Sequence, residues 1–280
     1  MASVMIIDRL SRAADGEPLV LGHRGFAALE VENTLPAFAR AAGTAGVSGV
    51  ELDVQLSRDD EVVVAHDRDL ARLGGDPQAI AGLTAAELAT RELRVERPAG
   101  PASTATGVPT LNAVVDAVPA PLLIDIELKS YSDMRPGLPE AVARLIHDRG
   151  IADRVLVSSF DPRLVRAFRT AAAGLGLRVV TAAIYSGDAE VPWLLRRGLG
   201  VRWSGSEVAK PSWASLLRRR PPRRWSLVWT VNDREVVERL AGRGVAGYIG
   251  DDPAALRRWI TEAAARSGAP AADRPPETRP

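Results

Sequence analysis

The chain has 280 residues, 46% of them hydrophobic and 25% charged, with a formal net charge of +1. That is the composition of a globular protein with room for one large core, and so balanced a charge leaves no electrostatic footprint for nucleic acid or a membrane surface. There is no cysteine, which excludes disulfide and thiolate chemistry and suits a reducing, cytoplasmic compartment; no signal-like leader and no apolar run long enough to span a bilayer is visible.

In chain order, residues 1–17 read as a short lead-in. Leu19 to Gly22 is an apolar run that empties into His23-Arg24-Gly25, a strand followed by a loop. Glu32-Asn33-Thr34 is a helix-start signal, with Asn33 as the expected cap, and Leu35, Phe38, Ala39 and Ala42 follow at helical spacing. Gly49 to Asp67 reads as a hairpin. Leu52, Val54 and Leu56 share one face of its first strand, and Glu51, Asp53 and Gln55 share the other. A half-buried strand facing water gives that pattern too, with Glu51 and Asp53 as solvated charges. A two-residue turn at Asp59-Asp60 pairs position 58 with 61 and sets Asp53 opposite His66, with Cβ atoms about 5 Å apart. Two carboxylates and an imidazole on one spot have the composition of a metal or acid–base site.

Residues 67–109 are loop-rich, with a capping-box start to a short helix at Thr84-Ala85-Ala86-Glu87. Beyond Thr110 strands and helices alternate. Strands begin near 19, 49, 122, 154, 177, 200, 226 and 246, and helices lie between them, including one near 191–197. Eight β–α units in about 250 residues predict an α/β fold, a TIM (β/α)8 barrel, with the hairpin and the 67–109 insertion added after strand 2. The expected organisation is one barrel domain over residues 1–267 and a disordered Pro/Ala-rich tail at 268–280. A doubly wound sheet requires a nucleotide loop after the first strand, and Gly22-His23-Arg24-Gly25 is not one.

In such a barrel, functional groups sit at the C-terminal strand ends. His23 and Arg24 end strand one, Glu51 and Asp53 lie late in strand two, and Asp125, Glu127 and Lys129 share a face of strand three. Acids lining a barrel interior cost desolvation unless compensated, and a divalent cation is the simplest compensation. Only two of the 36 basic residues are lysines, so Lys129 in a strand stands out.

The ordered motifs Leu21-Gly22-His23-Arg24-Gly25, Glu32-Asn33-Thr34, Glu51-Leu52-Asp53, His66-Asp67, Ile126-Glu127-Leu128-Lys129, Val157-Ser158-Ser159-Phe160-Asp161-Pro162 and Trp229-Thr230-Val231-Asn232-Asp233 resemble the glycerophosphodiester phosphodiesterase family over residues 18 to 256. The resemblance implies a TIM barrel holding a divalent metal, Mg²⁺ or Ca²⁺, on Glu51, Asp53 and Glu127. It implies His23 and His66 as catalytic, Arg24 and Lys129 as phosphate-binding, and a small-molecule glycerophosphodiester as substrate, with no nucleic-acid partner and no stable membrane insertion. Three carboxylates form an all-oxygen site suited to these hard cations. With charges of about −3 from the acids, +2 from the metal and +2 from Arg24 and Lys129, the site is matched to a phosphodiester monoanion. Two imidazoles can exchange protons near neutral pH, and in the family's mechanism the glycerol 2-hydroxyl is a candidate nucleophile.

Other residues carry plainer readings. His147 reads as a structural helix-end cation, Asp125 as a group behind the ligands, and Trp229 as a substrate-facing or core aromatic. Lys210 receives no role, and Arg218 to Arg224 reads as a solvated run. The chain departs from the family after His66-Asp67, at Leu70 to Asp76, and again at Val201 to Pro211, where Trp203 and Glu207 are placed near substrate. Those departures leave lysophospholipase D-like hydrolysis as the alternative activity. A non-catalytic phosphate binder is the alternative outside enzymes, and retention of both histidines argues against it.

Overall fold

The computed structural model describes residues 2–74, 76–96, 103–131, 135–188, 193, 195–220 and 225–266. The tail expected at 268–280, residues 221–224 of the arginine run and residues 191, 192 and 194 of the helix expected near 191–197 lie outside them; the described residues 195–198 form a turn and not the expected helix.

The N-terminal lead-in is a helix, α1 (Ala2–Asp15). It is followed by β1 (Leu19–His23), α2 (Leu35–Ala42), β2 (Gly49–Leu56) and β3 (Val62–Val64). The insertion then contributes β4 (Asp69–Leu70), α3 (Ala71–Gly74), β5 (Asp76–Ala79), α4 (Ala85–Leu88), β6 (Glu92–Val95) and β7 (Ser103–Thr106). The regular part runs α5 (Leu111–Ala117), β8 (Leu123–Leu128), α6 (Leu138–Arg149), β9 (Val155–Ser159), α7 (Pro162–Gly174) and β10 (Val180–Tyr185). It ends with α8 (Leu199–Ser204), β11 (Val208–Pro211), α9 (Trp213–Arg218), β12 (Trp225–Val228), α10 (Arg234–Leu240), β13 (Gly247–Gly250) and α11 (Pro253–Arg266).

Strands β1, β2, β8, β9, β10, β11, β12 and β13 pair in parallel around a circle closed by β1 against β2, and β3 adds antiparallel to β2. This is the eight-stranded barrel. The apolar face of β2 packs outward: Leu52, Val54 and Leu56 join Phe38, Ile126, Val142 and Phe168 in the layer between strands and helices. The polar face therefore points into the barrel, where Glu51, Asp53 and Gln55 are all buried. The lower interior is apolar, filled by Leu21, Leu123, Leu156, Val180, Val208 and Leu227, and Ile6, Leu10 and Ala13 of α1 pack onto that layer. Helix α1 thus closes the N-terminal end of the barrel, each fully buried aliphatic contributing about 1.5–3 kcal/mol.

Three expectations are corrected here. The strand placed at 200–204 is helix α8, framed by left-handed glycines Gly198 and Gly205, and the sixth strand is β11, eight residues later. The hairpin has a three-residue loop: the Ser57 amide donates to the Glu61 carbonyl (3.0 Å), with Asp60 in the left-handed region at φ 61°. Val54 consequently faces Val64, and Ala65, not His66, lies opposite Asp53. Finally, Thr34 caps α2, its hydroxyl accepting from the Ala37 amide, and Asn33 does not. The insertion has a core of its own, in which Leu70, Leu73, Ile80, Leu83, Leu88 and Leu93 pack with Val31 and Val63. The capping box at Thr84 and Glu87 is present. No described helix is long and apolar enough to cross a membrane.

Candidate active site

Strand register sets the acids side by side at the C-terminal end of the barrel. Glu51 pairs with Asp125 and Asp53 with Glu127 across β2 and β8, while His23 pairs with Glu51 across β1 and β2. Glu51, Asp53 and Glu127 are buried, and one oxygen of each lies within 4.8 Å of the others. Three converging carboxylates at that spacing are a donor set that fits a hard divalent cation. Around them, Lys129 Nζ donates to Glu127 Oε1 (2.8 Å) and Asp53 Oδ1 (3.3 Å), and Arg24 Nε lies 3.2 Å from Asp53 Oδ2. Asn33, whose φ is 57°, donates from Nδ2 to Asp53 Oδ2 (2.9 Å). Burial opposes the charged form of Asp53, but Lys129 and Arg24 overcome it and hold the carboxyl far below the usual range.

The turn after β1 forces His23 and Arg24 upward. The Gly25 amide donates to the Gly22 carbonyl (3.2 Å), and Arg24 sits at φ 53°, a conformation unfavourable for a side-chain-bearing residue. A Cβ on Gly22 would lie 2.2 Å from the Gly25 carbonyl oxygen, so only glycine closes this turn. His23 Nδ1 lies 2.6 Å from Asp251 Oδ1 and its Nε2 lies 3.9 Å from Glu51 Oε2, so the ring is held from behind with Nε2 toward the carboxylates. Burial works against the imidazolium, but Asp251 and Glu51 raise its pKa above the ordinary value. Asp251 is fixed in turn by Asn232, whose Nδ2 donates to Oδ2 (2.5 Å).

His66 reaches the same pocket although it is not opposite Asp53. Strand β3 ends at Val64, Gln55 Nε2 donates to the carbonyls of Ala65 (2.9 Å) and Asp67 (2.6 Å), and the Tyr131 hydroxyl donates to the His66 carbonyl. The segment leaves strand geometry, which frees it from the one-residue slip. Its Nδ1 lies 2.7 Å from Asp67 Oδ1, the same arrangement as His23 and Asp251.

The pocket is lined by His23, Arg24, Glu51, His66, Glu127 and Lys210 on its charged side and by Phe160, Ile184 and Trp229 on its apolar side. Phe160 and Trp229 meet edge to face at 5.3 Å, and Trp229 Nε1 donates to the Lys210 carbonyl (2.9 Å). The structure therefore brings together all seven residues singled out for catalysis, phosphate or metal, with Trp229 on the pocket wall.

Lys210 was missed. It is 2% exposed and points into the barrel from β11, with Nζ 2.8 Å from Asp125 Oδ2, 3.3 Å from Glu51 Oε1 and 3.2 Å from Ser158 Oγ. Burial disfavours its ammonium, yet Asp125 and Glu51 hold it charged. Asp251 was missed as well; it lies directly after β13, one residue before the Asp252-Pro253 start of α11. Glu207 does not face the pocket. Its carboxylate accepts from the Thr181 amide (3.0 Å) near the start of β10 and from Arg169 Nη1 (2.8 Å), while Trp203 is 52% exposed beneath Arg166.

A profile described as the Glycerophosphoryl diester phosphodiesterase family matches residues 23–255. The chain belongs to that family. Among its relatives, a glycerophosphodiester phosphodiesterase of Bacillus altitudinis is 30% identical over 84% of this chain and 94% of its own length. One from Caldanaerobacter subterraneus is 29% identical over 85% and 96%. Among solved structures, the glycerophosphodiester phosphodiesterase of Thermotoga maritima superposes with a TM-score of 0.62 at 27% identity, covering 86% of this chain and 98% of that one. A phosphodiesterase from Oleispira antarctica, solved with the product sn-glycerol-3-phosphate, shares the fold at a TM-score of 0.67 and 20% identity, covering 87% and 97%. As a member of this family the chain is an enzyme, a phosphoric diester hydrolase.

Proposed function

We propose that this enzyme hydrolyses glycerophosphodiesters to glycerol 3-phosphate and an alcohol, with His23 and His66 as the acid–base pair. The observation that carries this reading is the matched mounting of the two rings. Each has Nδ1 against an aspartate, at 2.6 and 2.7 Å, and both line the pocket that Glu51 and Glu127 also line. An aspartate on Nδ1 fixes the tautomer and leaves Nε2 for proton transfer. One histidine takes the proton of the glycerol 2-hydroxyl as its oxygen bonds to phosphorus. The other donates a proton to the alkoxide released when the opposite P–O bond breaks, and water opens the resulting cyclic phosphate with the roles reversed. Glu51, Asp53 and Glu127 would hold Mg²⁺ or Ca²⁺, which supplies positive charge to the phosphoryl oxygens when bound. Arg24 and Lys129 bind the same oxygens, and Phe160 and Trp229 pack against the organic part of the substrate. A cytoplasmic location is part of this reading, and the cysteine-free composition suits it.

The test is release of glycerol 3-phosphate from glycerophosphocholine, with EDTA and then with Mg²⁺ or Ca²⁺ restored. Turnover should vanish in EDTA and fall by at least about 100-fold in His23→Ala and His66→Ala. The melting temperature should rise with added metal in the wild type and respond far less in Glu51→Ala. Lysolipids form a second substrate arm, motivated by the apolar wall of the pocket. Turnover that survives EDTA would remove the metal from the mechanism, and a wild type inert toward every glycerophosphodiester would refute the substrate assignment.

A further inference from the structure

We infer that Arg72 is a positioning residue for this reaction, one guanidinium that aligns His66 through Asp67 and Arg24 through Glu32. The inference rests on the acid–base and phosphate-binding roles proposed above for His66 and Arg24. Arg72 lies in the insertion, and all three of its donor nitrogens are engaged. Nε donates to Asp67 Oδ2 (2.6 Å), while Nη1 and Nη2 donate to the two oxygens of Glu32 (2.8 and 2.7 Å). Each acceptor reaches the site through its other contact. Asp67 Oδ1 holds His66 Nδ1 at 2.7 Å, and Glu32 Oε1 accepts from Arg24 Nη1 at 2.6 Å. Arg24 in turn lies against Asp53. A planar fork matched to two carboxylates at once is a task for arginine and not for the point charge of lysine.

The insertion delivers the group. Leu70 and Leu73 on either side of Arg72 are buried in the insertion core, and that core includes Val31, the residue before Glu32. Helix α3 is seated so closely that a Cβ on Gly74 would lie 2.7 Å from the Glu92 carbonyl oxygen. The backbone carrying Arg72 is therefore anchored to the backbone carrying Glu32. The His66 hydrogen bond, with Arg72 behind it, keeps Asp67 ionised well below the usual carboxylate range. The Arg72 side chain itself is 48% exposed, and exposed ion pairs add little to stability. That separates positioning from scaffolding: losing Arg72 should impair turnover while hardly changing the melting temperature.

The experiment compares wild type, Arg72→Met, Arg72→Lys, Asp67→Asn and the Arg72→Met/Asp67→Asn double variant on glycerophosphocholine and on bis(p-nitrophenyl) phosphate. For Arg72→Met, kcat should fall about 10–100-fold, as for other groups that act through a functional residue. Arg72→Lys should recover only part of it, and the double variant should be slower than Asp67→Asn alone, but by a smaller factor than Arg72→Met is slower than wild type, since only the Glu32–Arg24 branch is left to lose. Guanidinium added to Arg72→Met should restore rate where the isosteric but neutral urea does not. Calorimetry with glycerol 3-phosphate, which needs no turnover, should show binding weakened several-fold in Arg72→Met. A kcat within twofold of wild type, additive effects in the double variant, rescue by urea as good as by guanidinium, or unchanged product affinity would each overturn the inference. So would a melting temperature lowered in step with activity. A wild type that cleaves only the nitrophenyl ester would instead refute the substrate reading and leave Arg72 tested on that ester.

Discussion

Lys210 shows how far a single buried charge shapes this site. It sits below the carboxylates with 2% exposure, and Asp125 and Glu51 both depend on it. Burial raises the Asp125 carboxyl and Lys210 works against that rise, so the pairing lets a further acid occupy the barrel beneath Glu51, Asp53 and Glu127. Lys210→Met should therefore cost about 3–5 kcal/mol, the usual penalty for stranding a buried partner, read as a lower denaturant midpoint with an unchanged m-value. Lys210→Met/Asp125→Leu should regain part of that loss. A single variant as stable as wild type would show that Asp125 is neutral and needs no partner. The alternation Glu51-Leu52-Asp53 and Asp125-Ile126-Glu127 made the acids visible in the sequence, because a polar face on a strand persists whatever the tertiary context. Lys210 and Asp251 were not visible in that way. Each acts through a partner more than 150 positions away, and nothing local marks such a pairing.

At the level of elements, the strands with long apolar faces were legible and the short sixth strand was not. Val201-Arg202-Trp203-Ser204 has strand-like composition, but its flanking glycines allow a six-residue helix that buries Val201 and Ser204 on one side. Placing the strand there put Lys210 in a loop and moved Glu207 toward the pocket. Glu207 instead ties α7 to β10 through Arg169 and Thr181, outside the catalytic end. Burial raises its carboxyl, but Arg169 and the Thr181 donors more than offset this, so its pKa lies below the ordinary glutamate value. A depressed carboxyl contributes stability that is complete above the unfolded value and disappears as the pH falls through the folded one. Glu207→Gln should accordingly lower the melting temperature at pH 7, and the difference from wild type should shrink as the pH drops below about 4.5. Activity at pH 7 should be unaffected. A gap that stays constant from pH 7 to the acid limb would assign the effect to packing and not to charge. The hairpin was misjudged by one residue for a related reason: turn length depends on Asp60 entering the left-handed region, which an aspartate tolerates but its sequence does not demand.

Over the whole molecule the barrel separates stability from chemistry along its axis. The N-terminal end is apolar and closed by α1, whereas the C-terminal end carries left-handed Arg24 and Asn33, the tight Gly22 turn and the buried charges. Strain and desolvation are concentrated at the candidate active site, and the aliphatic layer beneath them offsets that cost. This division makes opposite predictions for the two ends. Leu10→Ala, removing a side chain 1% exposed at the closed end, should cost about 2–5 kcal/mol and leave kcat unchanged at temperatures well below melting. Gly22→Ala, at the open end, must push the Gly25 carbonyl away and so displace His23 and Arg24; it should lower kcat about tenfold or more, because an ångström of misplacement is enough for that. Melting curves and initial rates measured on the same two preparations decide the matter. If Leu10→Ala reduced turnover in proportion to its stability loss, the lower layer would be mechanically coupled to the site, and the barrel would have to be treated as one cooperative unit from α1 to His23 and His66.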